Sequence, residues 1–341
     1  MPAPSPYRIL EIGLAFFASK TFLSAVGMQL FTVLGDKAMT GAELQKALNL
    51  HDRANPDFFD ALLAMGFLER EGDGPTARYR NTPDTAHFLI RGAEAYMGGI
   101  FEYSDQRLYK AWGDLSEGLR TGESTNEVKL KTSKGAFDEL YKDPQRTEQF
   151  VEGMAGSLIH NAYALAEKYE FGRYKTMCDI GGSSGVLAIA VARRHPHLKI
   201  ITTDLPQVIP HAQRKVDKAG LTDRITVHAV DFLKDDFPKV DVITMSQVLH
   251  DWNLKHKMHL IKAAYEALPT GGAFVVVETL IDDDRRKNMF GLLTSLNALV
   301  ETGNGFDYTG ADFAKWAGEV GFRRTEVLPL IGPTSAIIAY K

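Results

Sequence analysis

The sequence has almost no cysteine and no excess of basic residues. Cys178 is the single cysteine among 341 residues, which excludes an internal disulfide and is typical of a reducing compartment. Lysine and arginine number 39 against 43 aspartates and glutamates, for a formal net charge of -4. Proteins that bind nucleic acids usually carry a basic surplus, so we expect no nucleic-acid partner.

A long apolar run is also missing from the sequence. Spanning a bilayer takes about 20 predominantly apolar residues. The most apolar early stretch, residues 21–34, is shorter, and Glu11 and Lys20 interrupt any longer one. Its apolar residues recur at helical spacing and predict one buried helix. The start of the sequence shows no signal-peptide pattern. We therefore expect a cytoplasmic protein without a membrane partner.

The first half of the sequence is predicted to be helical. Thr40 and Glu43 stand at the spacing of a capping box that begins one helix, and residues 56–65 predict a second. Residues 66–81 follow as a small hairpin. Two helices and a hairpin are typical of a winged-helix module, which often serves as a dimerisation scaffold.

Strand and helix signals alternate from residue 176 onward. Five strands are predicted at residues 176–181, 199–204, 225–230, 240–245 and 273–278. The helices between them favour a parallel sheet that is covered on both faces. The last two strands, 325–331 and 336–340, are joined by a short turn and must pair antiparallel, because a parallel crossover needs a dozen or more residues. A mostly parallel, seven-stranded, Rossmann-like α/β sheet with one reversed strand is the fold of class I methyltransferases.

A glycine-rich turn and acidic residues follow the first three strands, at the edge where open α/β sheets bind ligands. The turn spans residues 181–185, and Asp204 ends the second strand 19 residues after it. An acidic residue at about that distance can accept both hydroxyls of a ribose. Asp231 and Phe232 end the third strand, where they can contact an adenine. With the reversed strand, these features predict S-adenosylmethionine as cofactor and S-adenosylhomocysteine as product.

A dinucleotide is the competing ligand for such a turn. Its Gly-x-Gly-x-x-Gly fingerprint places one residue between the first two glycines. Here the turn reads Gly181-Gly182-Ser183-Ser184-Gly185, so the first two glycines are adjacent and that spacing is not met. Ser183 also replaces the middle glycine of a strict Gly-x-Gly-x-Gly pattern. We therefore expect S-adenosylmethionine, with Gly181 as the most informative position of the turn.

These patterns divide the sequence into three predicted parts. Residues 1–100 form the winged-helix-like dimerisation domain, and residues 101–170 form a helical segment that lines the acceptor site. Residues 171–341 form the domain that binds S-adenosylmethionine.

Nearly the whole sequence resembles the small-molecule O-methyltransferases, a family typified by plant caffeate and hydroxyindole enzymes and by bacterial antibiotic-tailoring enzymes. The motifs that carry the resemblance are Asp179-Ile180-Gly181-Gly182, Asp204-Leu205-Pro206, Asp231-Phe232 and Leu249-His250-Asp251-Trp252. The last of these is the most specific single match.

The resemblance implies that His250 is the general base. The sulfonium methyl of the cofactor is already a strong electrophile, so the enzyme must mainly position the acceptor and deprotonate it. A phenol has a pKa of about 10 and a histidine one of about 6.5, so a neutral histidine is available to take the proton. Glu278 and Asp307 match the acids that orient this base. Family members commonly carry Glu at the Asp307 position, and Glu301 is the alternative second acid.

The resemblance also implies the remaining site residues. Leu205, Ser246 and Gln247 would contact the cofactor, although plant members often carry a lysine at the Ser246 position. The residues expected to line the acceptor pocket are Phe137, Met154, Asn161 and Asn297. No metal is expected. In the family the N-terminal region interlocks two subunits, so the resemblance implies a homodimer that acts on a small hydroxylated acceptor.

Two alternatives remain open at this point. An enzyme of the same fold could methylate nitrogen or carbon, although His250, Glu278 and Asp307 together favour a hydroxyl acceptor. A non-catalytic regulator could sense S-adenosylmethionine and bind DNA through the winged-helix module. That module lacks a helix rich in lysine and arginine.

Overall fold

A computed structural model describes residues 4–126, 137 and 139–341, which divide into two units, Met1–Arg107 and Leu108–Lys341. Residues 127–136 and 138, within the predicted acceptor-lining segment, lie outside the described residues. The helices of the first unit are Tyr7–Gly13, Ala15–Gly27, Leu30–Leu34, Gly41–Ala47, Asp57–Ala64, Pro83–Phe88 and Gly98–Tyr103. Its strands β1 (Met39–Thr40), β2 (Leu68–Glu71) and β3 (Arg78–Asn81) form an antiparallel sheet in the order β1-β3-β2.

The predicted capping box is confirmed in the first unit. Thr40 Oγ1 accepts from the backbone N–H of Glu43 at 3.2 Å, and the Glu43 carboxylate accepts from the backbone N–H of Thr40 at 2.7 Å. These bonds satisfy two of the free donors at the helix start. Two helices are followed by a β2–β3 hairpin, as expected. The winged-helix assignment stays a prediction.

The single helix predicted over residues 21–34 is wrong. The helix ends at Gly27, Gln29 adopts a left-handed φ of +59°, and a separate helix begins at Leu30. This turn redirects the chain, so that Leu30 and Phe31 are buried. Local periodicity predicts helical residues but not where the chain must turn to reach a core.

An apolar helical run lies before that break. Tyr7–Gly27 forms 21 residues with only a local irregularity at Leu14, and 17% of its most apolar part is buried. By length and composition alone it could cross a membrane. The charged residues at positions 11 and 20, which we expected to interrupt such a run, lie within it. Helix formation tolerates them because charged side chains on a helix can reach solvent or a partner.

The second unit is built around a seven-stranded sheet. Its strands are β4 (Thr176–Ile180), β5 (Lys199–Asp204), β6 (Ile225–Ala229), β7 (Val242–Ser246), β8 (Ala273–Glu278), β9 (Arg324–Pro329) and β10 (Ser335–Tyr340). Their order is β6-β5-β4-β7-β8-β10-β9, with β6 to β8 parallel and β10 antiparallel to both neighbours. The predicted strands and reversed strand are confirmed. The reversed strand lies one position inside the edge of the sheet.

Helices cover both faces of this sheet. The helices described in this unit are Tyr109–Gly113, Leu115–Thr121, Pro144–Lys168, Val186–Arg194, Ile209–Ala219, Leu254–Ala267, Met289–Thr302 and Gly310–Val320. Along β8, Val275 and Val277 belong to one buried cluster, whereas Phe274 and Val276 belong to the other. Both faces of a central strand are thus buried, which explains its continuous apolar sequence. The strand order reverses beside β4, so ligands are expected at the carboxyl ends of β4 and β7.

Candidate active site

The carboxyl end of β4 runs into a turn that requires glycine. Gly181 has a φ of +68°, and a Cβ there would lie 2.9 Å from Cγ2 of Val248. At Gly182 a Cβ would lie 2.1 Å from Thr202 Oγ1. Ser183 is also left-handed, with a φ of +51°. The bare backbone at this strand end can approach a ligand closely.

Asp204 ends β5 beside this turn. Its carboxylate accepts from the backbone N–H of Ser183 at 2.8 Å and from that of Leu205 at 2.7 Å. Burial raises the pKa of Asp204 to about 6, and the two backbone hydrogen bonds oppose that rise. A carboxylate has about four acceptor positions, so each oxygen can still accept a ribose hydroxyl.

Asp231 and Phe232 follow β6. The Asp231 carboxylate accepts from Leu233 N at 3.1 Å and pairs with Lys234. The Phe232 ring lies 3.7 Å from a Cβ built on Gly181 and packs edge-on against Trp252 with 5.8 Å between ring centroids. The aromatic ring and the glycine turn therefore border the same space, as an adenosyl ligand requires.

Ser246 ends β7, and Gln247 follows it. Ser246 is 9% exposed, and its hydroxyl has no hydrogen-bond partner among residues 4–126, 137 and 139–341. Gln247 has a left-handed φ of +53°. Its side-chain oxygen accepts from Ser157 Oγ at 2.9 Å, which joins the end of β7 to the helix Pro144–Lys168. An unsatisfied buried hydroxyl here fits a missing polar ligand.

His250 lies in a short 3₁₀ turn, Leu249–Asp251, that follows β7. Its Nδ1 lies 3.3 Å from Asp307 Oδ1 and 3.8 Å from Glu278 Oε2. The His250 side chain is 24% exposed, whereas those of Glu278 and Asp307 are each 1% exposed. The imidazole thus has two buried carboxylates on one side and access to solvent on the other.

The backbone fixes these groups relative to one another. Glu278, at the end of β8, accepts through Oε1 from Val248 N at 3.2 Å and from His250 N at 3.3 Å. His250 O accepts from Phe306 N at 2.8 Å, next to Asp307. Both acids predicted to accompany His250 therefore lie next to it. Glu278 is placed there by the sheet, and Asp307 by the segment that follows residue 302. Glu301, the alternative second acid, makes no contact with His250 among the contacts described.

Charge dominates the titration of this cluster. Burial lowers the pKa of His250, but the carboxylates of Asp251, Glu278 and Asp307 outweigh it and raise that pKa to about 10. Burial raises the pKa of Glu278 to about 7, against the opposing effect of His250. The imidazolium and the carboxylates are stabilised together, because each lies in the field of the other.

Sequence reasoning missed two residues of this cluster. Asp251 lies 3.6 Å from His250 Nε2 and does not cap the next helix, which Asn253 caps through His256 N at 3.1 Å. The ammonium of Lys257, fully buried, donates to two carbonyls of the His250 turn. Its position in the buried stripe of its helix was a signal that the sequence offered.

The predicted acceptor-lining residues contact several different parts of the second unit. Phe137 packs on Trp252 with 6.0 Å between ring centroids, and Met154 lies one turn before Ser157, which contacts Gln247. The Asn161 side-chain oxygen accepts from Ile331 N at 3.0 Å. The Asn297 side-chain oxygen accepts from Trp112 Nε1 at 2.8 Å. The asparagine oxygens thus have partners within the fold.

The sheet order, the glycine turn and the histidine–acid cluster together define a class I methyltransferase. The family model of the O-methyltransferase domain matches residues 112–323. A tetracenomycin polyketide synthesis 8-O-methyl transferase from Streptomyces glaucescens is 35% identical over 336 residues, covering 98% of this chain and 97% of the relative. An N,N-dimethyltransferase from Streptomyces rimosus is 32% identical, covering 94% and 92%.

A solved structure gives the same result. Human N-acetylserotonin methyltransferase in complex with S-adenosylmethionine superposes with a TM-score of 0.91 at 25% identity, covering 99% of this chain and 98% of the other. The chain belongs to the O-methyltransferase family. It is an enzyme that uses S-adenosylmethionine, as the sequence predicted.

Proposed function

We propose that this enzyme transfers the methyl group of S-adenosylmethionine to a hydroxyl of an aromatic or polyketide-like small molecule, with His250 as general base. The observation that carries the proposal is the position of His250 Nδ1, 3.3 Å from Asp307 and 3.8 Å from Glu278. The acceptor class is supported by the 35% identical relative, which is named for an O-methylation in polyketide synthesis.

The two ring nitrogens of His250 have different tasks in this proposal. Nδ1 faces the two buried carboxylates and keeps a proton, which leaves Nε2 to accept the proton of the acceptor hydroxyl. Glu278 and Asp307 then stabilise the imidazolium that forms, as the acid of a histidine–acid pair does. Asp251, 3.6 Å from Nε2, adds to this field. The cofactor supplies an electrophilic methyl group and a positive charge that opposes protonation of His250.

The strand ends already described are proposed to hold the cofactor. At Gly181 the cofactor can approach the backbone closely. Asp204 accepts hydrogen bonds from the ribose hydroxyls, and Asp231 and Phe232 contact the adenine. Leu205, Ser246 and Gln247 complete the proposed set. The support is the glycine cradle that a Cβ would fill and the buried, unsatisfied hydroxyl of Ser246.

The acceptor is proposed to bind next to His250. Phe137 and Met154 would supply apolar contact from the segment 101–170, and the amide groups of Asn161 and Asn297 would supply donors. A flat aromatic acceptor suits such lining, because aromatic rings pack well on one another. A panel of phenols, with analysis of the methylated products, would identify the acceptor and the hydroxyl that receives the methyl group.

The direct test is His250→Ala. We expect loss of methyl transfer, measured with radiolabelled cofactor and a phenolic acceptor, while calorimetry gives an unchanged Kd for S-adenosylmethionine. The matched control is His259→Ala, which replaces an exposed histidine on the helix Leu254–Ala267. Full activity of folded His250→Ala would overturn the proposal.

Methylation of nitrogen is the second candidate. It is favoured by one observation, the 32% identity to a relative named as an N,N-dimethyltransferase. An amine acceptor that arrives as the free base has less need of a general base, so the buried acids around His250 favour a hydroxyl. Mass spectrometry of the labelled product distinguishes O- from N-methylation.

We propose a homodimer, with residues 1–100 as the dimerisation domain. The helical run at the N-terminus exposes large apolar side chains, which monomers rarely leave in contact with water. These are Tyr7, Ile9, Leu10, Ile12, Leu14, Phe16 and Phe17. A second copy that covers this face would bury them, as in the family that the sequence resembles.

A lipid membrane is the alternative partner that could bury the exposed apolar side chains of the N-terminal helical run. Charges within a membrane-spanning helix are costly. Arg8 and Glu11 pair within the run, and Lys20 pairs with Asp105, which favours an aqueous position and a cytoplasmic enzyme. Sedimentation of Phe17→Asp against wild type tests the dimer. A wild-type monomer, or flotation of wild type with lipid vesicles, would contradict it.

A further inference from the structure

A fully buried lysine lies against the turn that carries His250. Lys257 belongs to the helix Leu254–Ala267, and its Nζ donates to Leu249 O at 2.7 Å and also to Trp252 O. These two carbonyls stand on either side of His250 in the chain. One ammonium group therefore connects both ends of the turn, and two charge-assisted hydrogen bonds of this kind are among the stronger ones in proteins.

The same ammonium contacts the segment that carries Asp307. Lys257 Nζ lies 3.9 Å from the centroid of the Phe306 ring, a cation–π contact, and Phe306 N donates to His250 O at 2.8 Å. Lys257 thus lies between the turn of the base and the segment of its acid. A loss of this cation would loosen both.

Three carboxylates act electrostatically on Lys257. Burial lowers the pKa of the Lys257 ammonium to about 8, and the carboxylates of Glu278, Asp251 and Asp307 oppose that fall. These are the same three carboxylates that raise the pKa of His250. The tyrosine ring of Tyr308 completes the surroundings, 5.5 Å from Nζ. Lysine and histidine therefore share one set of negative charges.

An apolar residue would fill this position at lower cost. The rest of the buried stripe on the helix is apolar and consists of Leu260, Ile261, Ala264 and Ala267. A buried ammonium, by contrast, loses its hydration. Its cost is offset only where carbonyls and carboxylates compensate it, as they do here. The presence of a charged Lys257 where an apolar residue would fit at lower desolvation cost therefore indicates a role in the active site.

We infer that Lys257 is a positioning residue for methyl transfer: its ammonium holds the ends of the His250 turn and balances the carboxylates around the base. The inference rests on the proposed role of His250. Without the cation, the three carboxylates would act on the imidazole alone at neutral pH. The imidazolium would then be more stable, and the base form of His250 would be scarcer, over the pH range in which Lys257 is charged.

The test is Lys257→Met, which nearly keeps the length of the side chain but removes its charge and donors. We expect an unchanged Kd for S-adenosylmethionine and a lower kcat. We also expect a further loss of about tenfold on the rising limb of kcat/KM against pH, equivalent to one pH unit, below about pH 8, where the wild-type ammonium is charged, and not above it. A merely structural defect would lower the rate equally at every pH. Lys257→Arg retains the charge and is expected to keep the limb below pH 8 near its wild-type position.

The control is Lys255→Met, an exposed lysine on the same helix, which is expected to leave the profile unchanged. If Lys257→Met does not fold, Lys257→Gln, which keeps N–H donors without the charge, is measured in its place. A neutral variant with the wild-type limb and kcat would overturn the inference. The proposed function fails separately, if the wild-type limb persists in His250→Ala.

Discussion

Asp307→Asn removes one negative charge beside His250 while it nearly keeps the shape of the side chain. With an effective dielectric constant of about 20, opposite unit charges at the observed 3.3 Å attract by roughly 5 kcal/mol. This is an upper bound, because one pKa unit corresponds to about 1.4 kcal/mol and a neighbouring carboxylate usually shifts a pKa by about 1–3 units. Glu278 and Asp251 remain to support the imidazolium. We therefore expect the pKa of His250 to fall by about 1–3 units.

The sign of the effect on activity follows from the role of His250 as base. The ordinary histidine pKa of about 6.5 predicted a neutral base, but a pKa raised to about 10 keeps nearly all of the imidazole protonated at neutral pH. We therefore expect kcat/KM to rise with pH in the wild type. In Asp307→Asn this rising limb should move to lower pH. The plateau should also fall, because an acid that orients the base is lost, though by no more than the roughly 10²–10⁴-fold that general base catalysis contributes.

The assay is a pH profile of kcat/KM with labelled cofactor. A phenolic acceptor ionises at a pKa of about 10 itself. The profile is therefore measured with two phenolic acceptors of different pKa. A limb caused by ionisation of the acceptor moves with the pKa of the acceptor, whereas a limb caused by His250 stays at the same pH. Asp284→Asn, at an exposed position, is the control. A limb that stays in place, or moves to higher pH, would refute the reasoning about Asp307.

Three further predictions test the rest of the site. Chelation with EDTA is expected to leave activity unchanged. The ligand atoms of His250, Glu278 and Asp307 lie within 4.8 Å of one another, so inhibition by EDTA that added metal reverses would show that they hold an ion. Gly181→Ala should weaken cofactor binding by about tenfold or more, because its φ of +68° and the 2.9 Å approach of Val248 leave no room for a Cβ. Calorimetry measures the Kd, and the control is Gly172→Ala, where a Cβ would meet no atom within 4 Å. Asp204→Asn should raise the Kd for the cofactor, since an amide offers the ribose hydroxyls one acceptor oxygen in place of two; an unchanged Kd would remove Asp204 from the cofactor site.

Much of the catalytic unit could be predicted from local pattern. The strands, the short turn before the last strand and the glycine-rich turn were all evident, because alternation, turn residues and buried apolar runs are short-range signals. The N-terminal helices were predicted less well. Periodicity marked residues 21–34 as helical, yet it could not reveal the left-handed Gln29, which depends on where Leu30 and Phe31 find a core.

The sequence by itself determined which residues stand at the strand ends: Asp204 ends a strand, and Gly181, Asp231 and His250 follow strands, that local pattern marks. Only the tertiary structure decided how the charges meet. Glu278 reaches His250 because β8 lies beside β7, and Asp307 does so because the chain returns after the helix Met289–Thr302. The spacing of Lys257 in the buried stripe of the next helix indicated burial, but its hydrogen bonds to the turn of His250 became evident only in the tertiary structure. Electrostatic fields depend on distance in space, and the order of the strands sets that distance.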